Sequence, residues 1–317
     1  MKIEKGMVTV ITGAGAGMGA ELSVLCAKRG SDLALCDINA ENLEKTKKRC
    51  EKFGVKVTTH IVDVGVRDQV KQFAKDVEIS HNGRVNLLFN NAGVASTAPF
   101  HQAKEEDFDW CFNINVNGVI DTTRAFFPMI IAQEKATIIN ISSVAGYYSS
   151  LATGPAYTAS KFAVRGFSEN LLVECRQYFP HVNVLCVHPG IIKTDILNNA
   201  RELYLPYLDQ ITEQGNKGLD IQEAKDQANR FYSIFGYTAE EAAIMIMDAV
   251  LAGKTRARVG WDAVIIDWWV RLFPRIMASP FDPLVPLTAI LLRKAYLPMA
   301  LTGAAYYAYK SFHHSKL

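Results

Sequence analysis

Charge of one sign is what this 317-residue sequence lacks: 34 Lys and Arg stand against 32 Asp and Glu, a formal net charge of +2. So even a balance offers no basic stripe for a phosphate backbone and argues against a nucleic-acid partner. Close cysteine pairs are missing as well. Cys26, Cys36, Cys50, Cys111, Cys175 and Cys186 are scattered, without the spacing of a zinc site or redox motif, so no metal centre is expected. Most fall in apolar runs, where cysteine acts as a small core residue, and a reducing, cytoplasmic compartment is expected over secretion. The first apolar run, residues 7–12, is too short for a signal-peptide core and reads as a strand. No internal repeat or low-complexity tract is present.

What remains is 49% hydrophobic and 21% charged, enough for one large α/β domain with an appendage. Short β-branched runs at 7–12, 32–36, 56–62, 85–90, 136–142, 183–187 and 256–259 read as strands. Amphipathic stretches at 20–29, 40–53, 67–80, 105–133, 157–178 and 239–252 lie between them. Buried strands alternating with helices imply βαβ units and a parallel sheet with helices on both faces.

The first strand runs into Thr12-Gly13-Ala-Gly-Ala-Gly17-Met18-Gly19 and then a helix. Glycines there permit a tight turn and let a pyrophosphate reach backbone N–H groups at a helix N-terminus. The last two are spaced Gly-x-Gly, unlike the usual Gly-x-Gly-x-x-Gly. Asp37 follows the second strand, placed to accept ribose hydroxyls or simply to cap the next helix. No Arg or Lys follows it or lies in the glycine turn, so NAD is expected over NADP. Further on, Tyr157 and Lys161 are four residues apart and share a helical face. A phenol has a pKa of about 10, and a neighbouring cation draws it toward working pH. Alone, the pair also fits a solvated helix face with a half-buried ring.

Taken together, the chain resembles the short-chain dehydrogenase/reductase family in its compact single-domain branch. The matching residues are Thr12-Gly13-x-x-x-Gly17-x-Gly19, Asp63-Val64, Asn90-Asn91-Ala92-Gly93, Asn115, Ser143, Tyr157-x-x-x-Lys161 and Pro189-Gly190-x-x-x-Thr194. They run in family order. The resemblance implies a Rossmann-type, doubly wound sheet of about seven strands over residues 1–260. It implies that Tyr157 exchanges a proton with the substrate oxygen as hydride moves to or from a nicotinamide. Lys161 lowers the tyrosine pKa and binds the nicotinamide ribose, Ser143 polarises the carbonyl, and Asn115 holds a water that extends the relay. Gly13, Gly17, Met18, Gly19 and Asp37 then bind the cofactor. Asp63 and Val64 bracket the adenine, Asn90, Ala92 and Gly93 line the cleft, Pro189 and Gly190 also bind the cofactor, and Ile192 and Thr194 meet the carboxamide end. His188, a strand-end histidine with an expected backbone partner, is given no role.

Two regions break the alternation. Residues 198–237 form a mixed-polarity insertion with Tyr204, Tyr207, Phe231, Tyr232 and Phe235. In this position a segment covers the substrate, and its rings suit an apolar substrate or, equally, a helical pair or dimer surface. Tyr147 and Tyr148 are also expected beside the pocket. Residues 261–317 form an apolar helical extension. Its stretch 264–273 is amphipathic and aromatic, and its longest uncharged run, 295–309, is shorter than the roughly 20 residues of a spanning helix. Peripheral membrane docking, a membrane span, an oligomer interface or a channel cover are its readings. The expected function is an NAD-dependent oxidoreductase for the secondary alcohol or ketone of a steroid, retinoid or lipid, working as a homo-oligomer. A 3-ketoacyl reductase, or a non-catalytic dinucleotide-binding interaction protein, are the alternatives.

Overall fold

The computed structural model describes residues 2–96, 98, 100–101, 103–148, 154–194, 196, 200 and 236–272. Strand β1 (Val8–Thr12) is β-branched at all five positions and buried throughout. Helix α1 (Gly17–Lys28) leads to β2 (Asp32–Asp37), and α2 (Ala40–Glu51) to β3 (Val57–Ile61). Helix α3 (Arg67–Ser80) then crosses to β4 (Leu87–Asn90). Helical periodicity explains these crossovers: α3 buries Val70, Phe73, Ala74 and Val77, and its opposite side is polar.

The stretch expected as one helix over 105–133 is interrupted. Helix α4 (Glu105–Phe112) passes through one π-helical turn at Asn113–Asn117 into α5 (Gly118–Ile131). The wide turn carries the buried amide of Asn115, and such turns recur at functional sites. After β5 (Ala136–Ile141) and a short 3₁₀ turn (Val144–Gly146) come α6 (Pro155–Tyr178) and β6 (Val182–Pro189). The described chain closes with β7 (Ile192–Lys193), β8 (Tyr237–Thr238), α7 (Ala239–Leu251), β9 (Arg256–Val259) and α8 (Trp261–Leu272).

Seven strands form one parallel sheet in the order β3-β2-β1-β4-β5-β6-β9. The order reverses between β1 and β4, so their carboxyl ends open a crevice where such sheets bind ligands. One core includes Leu22, Leu33, Leu87, Ile246 and Met247. The other includes Phe73, Leu88, Phe126, Ile138 and Leu171. Inside the sheet, Asn90 Nδ2 donates to Thr123 Oγ1 (2.9 Å) and Asn140 Oδ1 (2.8 Å), and Asn140 Nδ2 donates to Ser168 Oγ (2.9 Å). Those bonds stitch β4 and β5 to α5 and α6.

Strands β7 and β8 pair in parallel, Ile192 opposite Tyr237, so they bracket the insertion and tie its flanks side by side. The insertion's aromatic residues 204, 207, 231, 232 and 235, and the extension beyond 272, lie outside the described residues. A compact unit spans Met1–Arg271. Among the described residues, no helix is long and apolar enough to cross a membrane.

Candidate active site

Most candidate residues sit at or just beyond a strand's carboxyl end; Asn115 lies in the π turn, and Tyr157 and Lys161 lie on α6. The glycine turn after β1 needs its glycines for conformation and close approach. Gly13 and Gly17 have φ of 64° and 53°, where side chains are strained. A Cβ at Gly13 would lie 2.8 Å from Ala92 Cα, and one at Gly19 would collide with the Gly13 carbonyl oxygen. Thr12 Oγ1 accepts the N–H groups of Asn91 and Ala92, each at 3.0 Å. Asn91 Nδ2 donates to the carbonyls of Thr12 and Gly13, each at 3.0 Å. The turn is thereby fastened to the end of β4, a role of Asn91 that its place in Asn-Asn-Ala-Gly only hints at. Helix α1 has no side-chain cap and no acid in its first turn. Its leading N–H groups, which lack acceptors within the helix, suit the pyrophosphate of a dinucleotide.

Asp37 closes the far side of this turn. Its Oδ2 accepts from Gly15 N–H and its Oδ1 from Asn39 N–H, both at 2.8 Å. The cap of α2 is Asn39, whose side chain accepts from Asn42 N–H at 2.9 Å. The carboxylate of Asp37 is therefore at the turn, not on the helix. Asp63 Oδ1 accepts from Gly65 N–H at 2.8 Å, and Val64 packs where a Cβ on Gly118 would lie 2.9 Å away. Asn90, expected on the cleft, turns its amide into the sheet, where its Nδ2 donates to Asn140 Oδ1 and Thr123 Oγ1 and its Oδ1 is buried without a partner among the described groups.

Lys161 is the centre of the arrangement. It is 4% exposed, and its Nζ donates to the carbonyl of Ile141 at 3.1 Å. It stands 5.5 Å from the centre of the Tyr157 ring. Burial pushes its ammonium down to about 8, against a smaller opposing pull from the Cys111 and Cys186 thiols. A Cβ on Gly93 would lie 3.3 Å from both Lys161 Nζ and Asn115 Oδ1, so the absent side chain keeps the lysine head beside the cleft. Ser143, just past β5, accepts from Ala145 N–H at 3.1 Å through its Oγ. That bond orients the oxygen and leaves the hydroxyl proton for a carbonyl.

Asn115, expected to hold a water, is bonded to protein through its side chain. Its Oδ1 accepts from Val94 N–H and its Nδ2 donates to Val94 O, both at 2.9 Å, and to Ser160 Oγ at 3.0 Å. The amide fixes the segment after Gly93 to α6.

The loop after β6 is held from far along the chain. Asp262, at the start of α8, accepts from Ile191 N–H at 2.6 Å, and any Cβ on Gly190 would collide with its carboxylate. Burial raises its pKa, with backbone N–H groups of Ile191 and Ala263 opposing. Ile192 is buried in the core, and Thr194 packs 3.3 Å from where a Cβ on Gly17 would be. Pro189 ends β6. His188 shares Nδ1 with the carbonyl of Ser143 at 3.0 Å; its pKa falls to about 4, chiefly through burial. The neutral ring therefore donates from Nδ1. Tyr147, expected beside the pocket, is buried, and its hydroxyl donates to the carbonyl of Ala263 at 2.7 Å. Neither Tyr147 nor Asp262 carries a local sequence signal, since each acts across the fold.

Comparison with known proteins agrees with this geometry. The model of the short chain dehydrogenase family matches residues 7–204. SadH of Mycobacterium tuberculosis is 34% identical over 281 residues, covering 89% of this chain and 94% of that protein. Human estradiol 17-beta-dehydrogenase 11 is 34% identical over 205 residues, covering 64% and 68%. The crystal structure of a short chain dehydrogenase/reductase from Burkholderia phymatum in complex with NAD has a TM-score of 0.75 and 26% identity. It covers 89% of this chain and 99% of that one.

Two predictions follow from burial. The unfolded chain keeps the Lys161 proton up to 10.5, the folded chain only to about 8. Between those values the unfolded state binds more protons, so stability from this group rises with pH. The lead in unfolding free energy of Lys161→Met over wild type should shrink by about 2 kcal/mol between roughly pH 7.5 and pH 9.5 in urea titrations; a constant difference contradicts the buried ammonium. Asp262→Ala should cost about 1–3 kcal/mol of stability and weaken NADH binding, read by fluorescence titration. Unchanged NADH affinity would refute its hold on the Gly190 loop.

Proposed function

The chain belongs to the short-chain dehydrogenase family of nicotinamide-dependent oxidoreductases, and from that premise we propose that it moves hydride between NAD and the secondary alcohol or ketone of a hydrophobic molecule such as a steroid, retinoid or lipid. The observation that carries this reading is the buried Lys161 ammonium beside Tyr157, with Ser143 at the neighbouring strand end. The cofactor supplies the hydride acceptor or donor. Gly13, Gly17, Met18 and Gly19 hold its pyrophosphate end, and Asp37 its adenosine ribose. Asp63 and Val64 flank the adenine. Ala92, Gly93, Pro189, Gly190, Ile192 and Thr194 wall the remaining cleft, and Asn90 supports it from within the sheet.

In reduction, Tyr157 Oη gives its proton to the substrate carbonyl oxygen, and Ser143 Oγ–H donates a hydrogen bond to the same oxygen. The Lys161 ammonium stabilises the phenolate left behind. It does so strongly because little water reaches it to screen the charge. Ser143 holds its alignment through the Ala145 N–H, and His188 steadies the serine's carbonyl. Oxidation runs through the same groups in reverse. Asn115 serves by fixing the Val94 segment.

Asp37 favours NAD, because a carboxylate there repels a 2′-phosphate. A hydrophobic substrate suits the aromatic residues of the 198–237 insertion, and the similarity to a steroid dehydrogenase supports it. We place the catalytic domain at 1–260 with 261–317 as its extension, and expect a homo-oligomer formed through the helices bearing Asn115 and Tyr157. The exposed Phe162 and Val173 on α6 support that surface. Six buried free cysteines suit a reducing cytoplasmic setting, with peripheral membrane contact through the extension.

Tyr157→Phe should retain NADH binding and lose at least about 100-fold in turnover on whichever substrate emerges from a screen of steroids, retinoids, long-chain alcohols and acyl thioesters. Turnover like wild type would sink the mechanism, and activity confined to acyl thioesters would favour the 3-ketoacyl alternative. NADH should bind more tightly than NADPH, with Asp37→Ala narrowing the gap; tighter NADPH binding by wild type contradicts the role of Asp37.

A further inference from the structure

Helix α8 turns a continuous apolar face outward. A surface helix normally buries its apolar stripe and shows its charges to water. In α8 the buried residues are Ala263 and Asp267, while Trp261, Ile265, Trp268 and Leu272 are 56%, 59%, 57% and 63% exposed. Those four recur at intervals of four, three and four residues, so they make one continuous outer face. Water is a poor environment for such a face. A membrane interface is a favourable one, and it is where tryptophan concentrates.

The charges beside this face are predominantly positive. Asp267 Oδ1 accepts from Arg256 at 2.8 Å and from Arg271 at 3.0 Å, and Oδ2 from Arg258 at 3.3 Å. Three guanidinium groups against one carboxylate leave two positive charges uncompensated. Arg256 Nε is buried with no hydrogen-bond partner among the described groups. The guanidinium groups rim an open cleft of about 310 Å³ lined by Arg256, Arg258, Asp267, Trp268 and Arg271. Trp268 belongs to both the cleft and the apolar face, so cationic and apolar surfaces adjoin.

We propose that α8 docks on an anionic bilayer, its apolar face in the acyl boundary and lipid phosphates in the arginine cleft. The proposal deepens the membrane contact named above and rests on that contact alone, independent of the hydride chemistry. A second copy of the chain is a poorer occupant. A twofold interface through this face would set like charges against each other. The sequence that follows α8 has the same polarity: Arg275, Arg293, Lys294, Lys310 and Lys316 against Asp282.

The test is flotation of the full-length protein, purified without detergent, with vesicles of phosphatidylcholine mixed with phosphatidylserine and of phosphatidylcholine alone. Wild type should float with the mixed vesicles and bind them less as salt rises. Arg271→Gln should weaken this roughly fivefold, and Trp268→Gln should weaken it with either charge unchanged. NADH affinity, measured on the same samples, reports the dinucleotide site separately and should not move. Equal flotation on phosphatidylcholine alone would overturn the proposal. So would wild-type flotation by both variants, which puts attachment beyond residue 272. A wild-type dimer that does not float and that Trp268→Gln converts to monomer would assign the face to a second copy.

Discussion

Holding an ammonium under the floor of the cleft is the constraint around which this fold is arranged. Lys161 gives up hydration and receives one carbonyl, that of Ile141, at 3.1 Å. An isolated buried charge is costly, so the surroundings must keep it from escaping to water. Ser142 Oγ donates to the Lys161 carbonyl at 2.8 Å, pinning α6 to the end of β5. Gly146 has no Cβ because one would strike Ser142 Oγ, and Gly93 has none where Lys161 and Asn115 converge. The resulting cation loses its proton near neutrality more readily than a free lysine. It therefore stands as a strong, poorly screened partner for whatever negative charge develops at Tyr157.

The same logic explains why the loops of the site are fastened by distant residues. Ser143 lies between two tethers: His188 bonds its carbonyl, and Tyr147, four residues on, reaches α8 through Ala263. Asp262, the neighbour of Ala263, holds the loop after β6. The first turn of α8 thus clamps two catalytic loops. The opposite face of the helix carries the exposed tryptophans. Loops set the geometry in this fold, and α8 sets the loops.

Much of this was readable from the sequence because it is written in local pattern. Strand β9 and helix α3 have the boundaries that alternation and periodicity predict, and the glycine turn, Ser143, Tyr157 and Lys161 all converge on one edge of the sheet. The failures have physical reasons. The helix over 105–133 contains a π turn because Asn115 bonds to Val94, a contact across the fold that periodicity cannot register. Asn90 faced inward because its partner, Asn140, is 50 positions away. Tyr147 resembled a pocket residue by its nearness to Ser143, yet its hydroxyl found a carbonyl 116 positions away. Side-chain direction at a strand end is decided by such partners, and a single sequence does not display them.

The central claim is that one cleft, at the reversal between β1 and β4, presents a dinucleotide to a buried lysine. A crystal structure of the protein with NAD tests it most directly. The pyrophosphate should lie on the leading N–H groups of α1, with a ribose hydroxyl on Asp37 and the nicotinamide ribose within hydrogen-bond reach of Lys161 Nζ. A dinucleotide bound elsewhere, or bound here with Lys161 paired to a carboxylate and turned from the ribose, would contradict it.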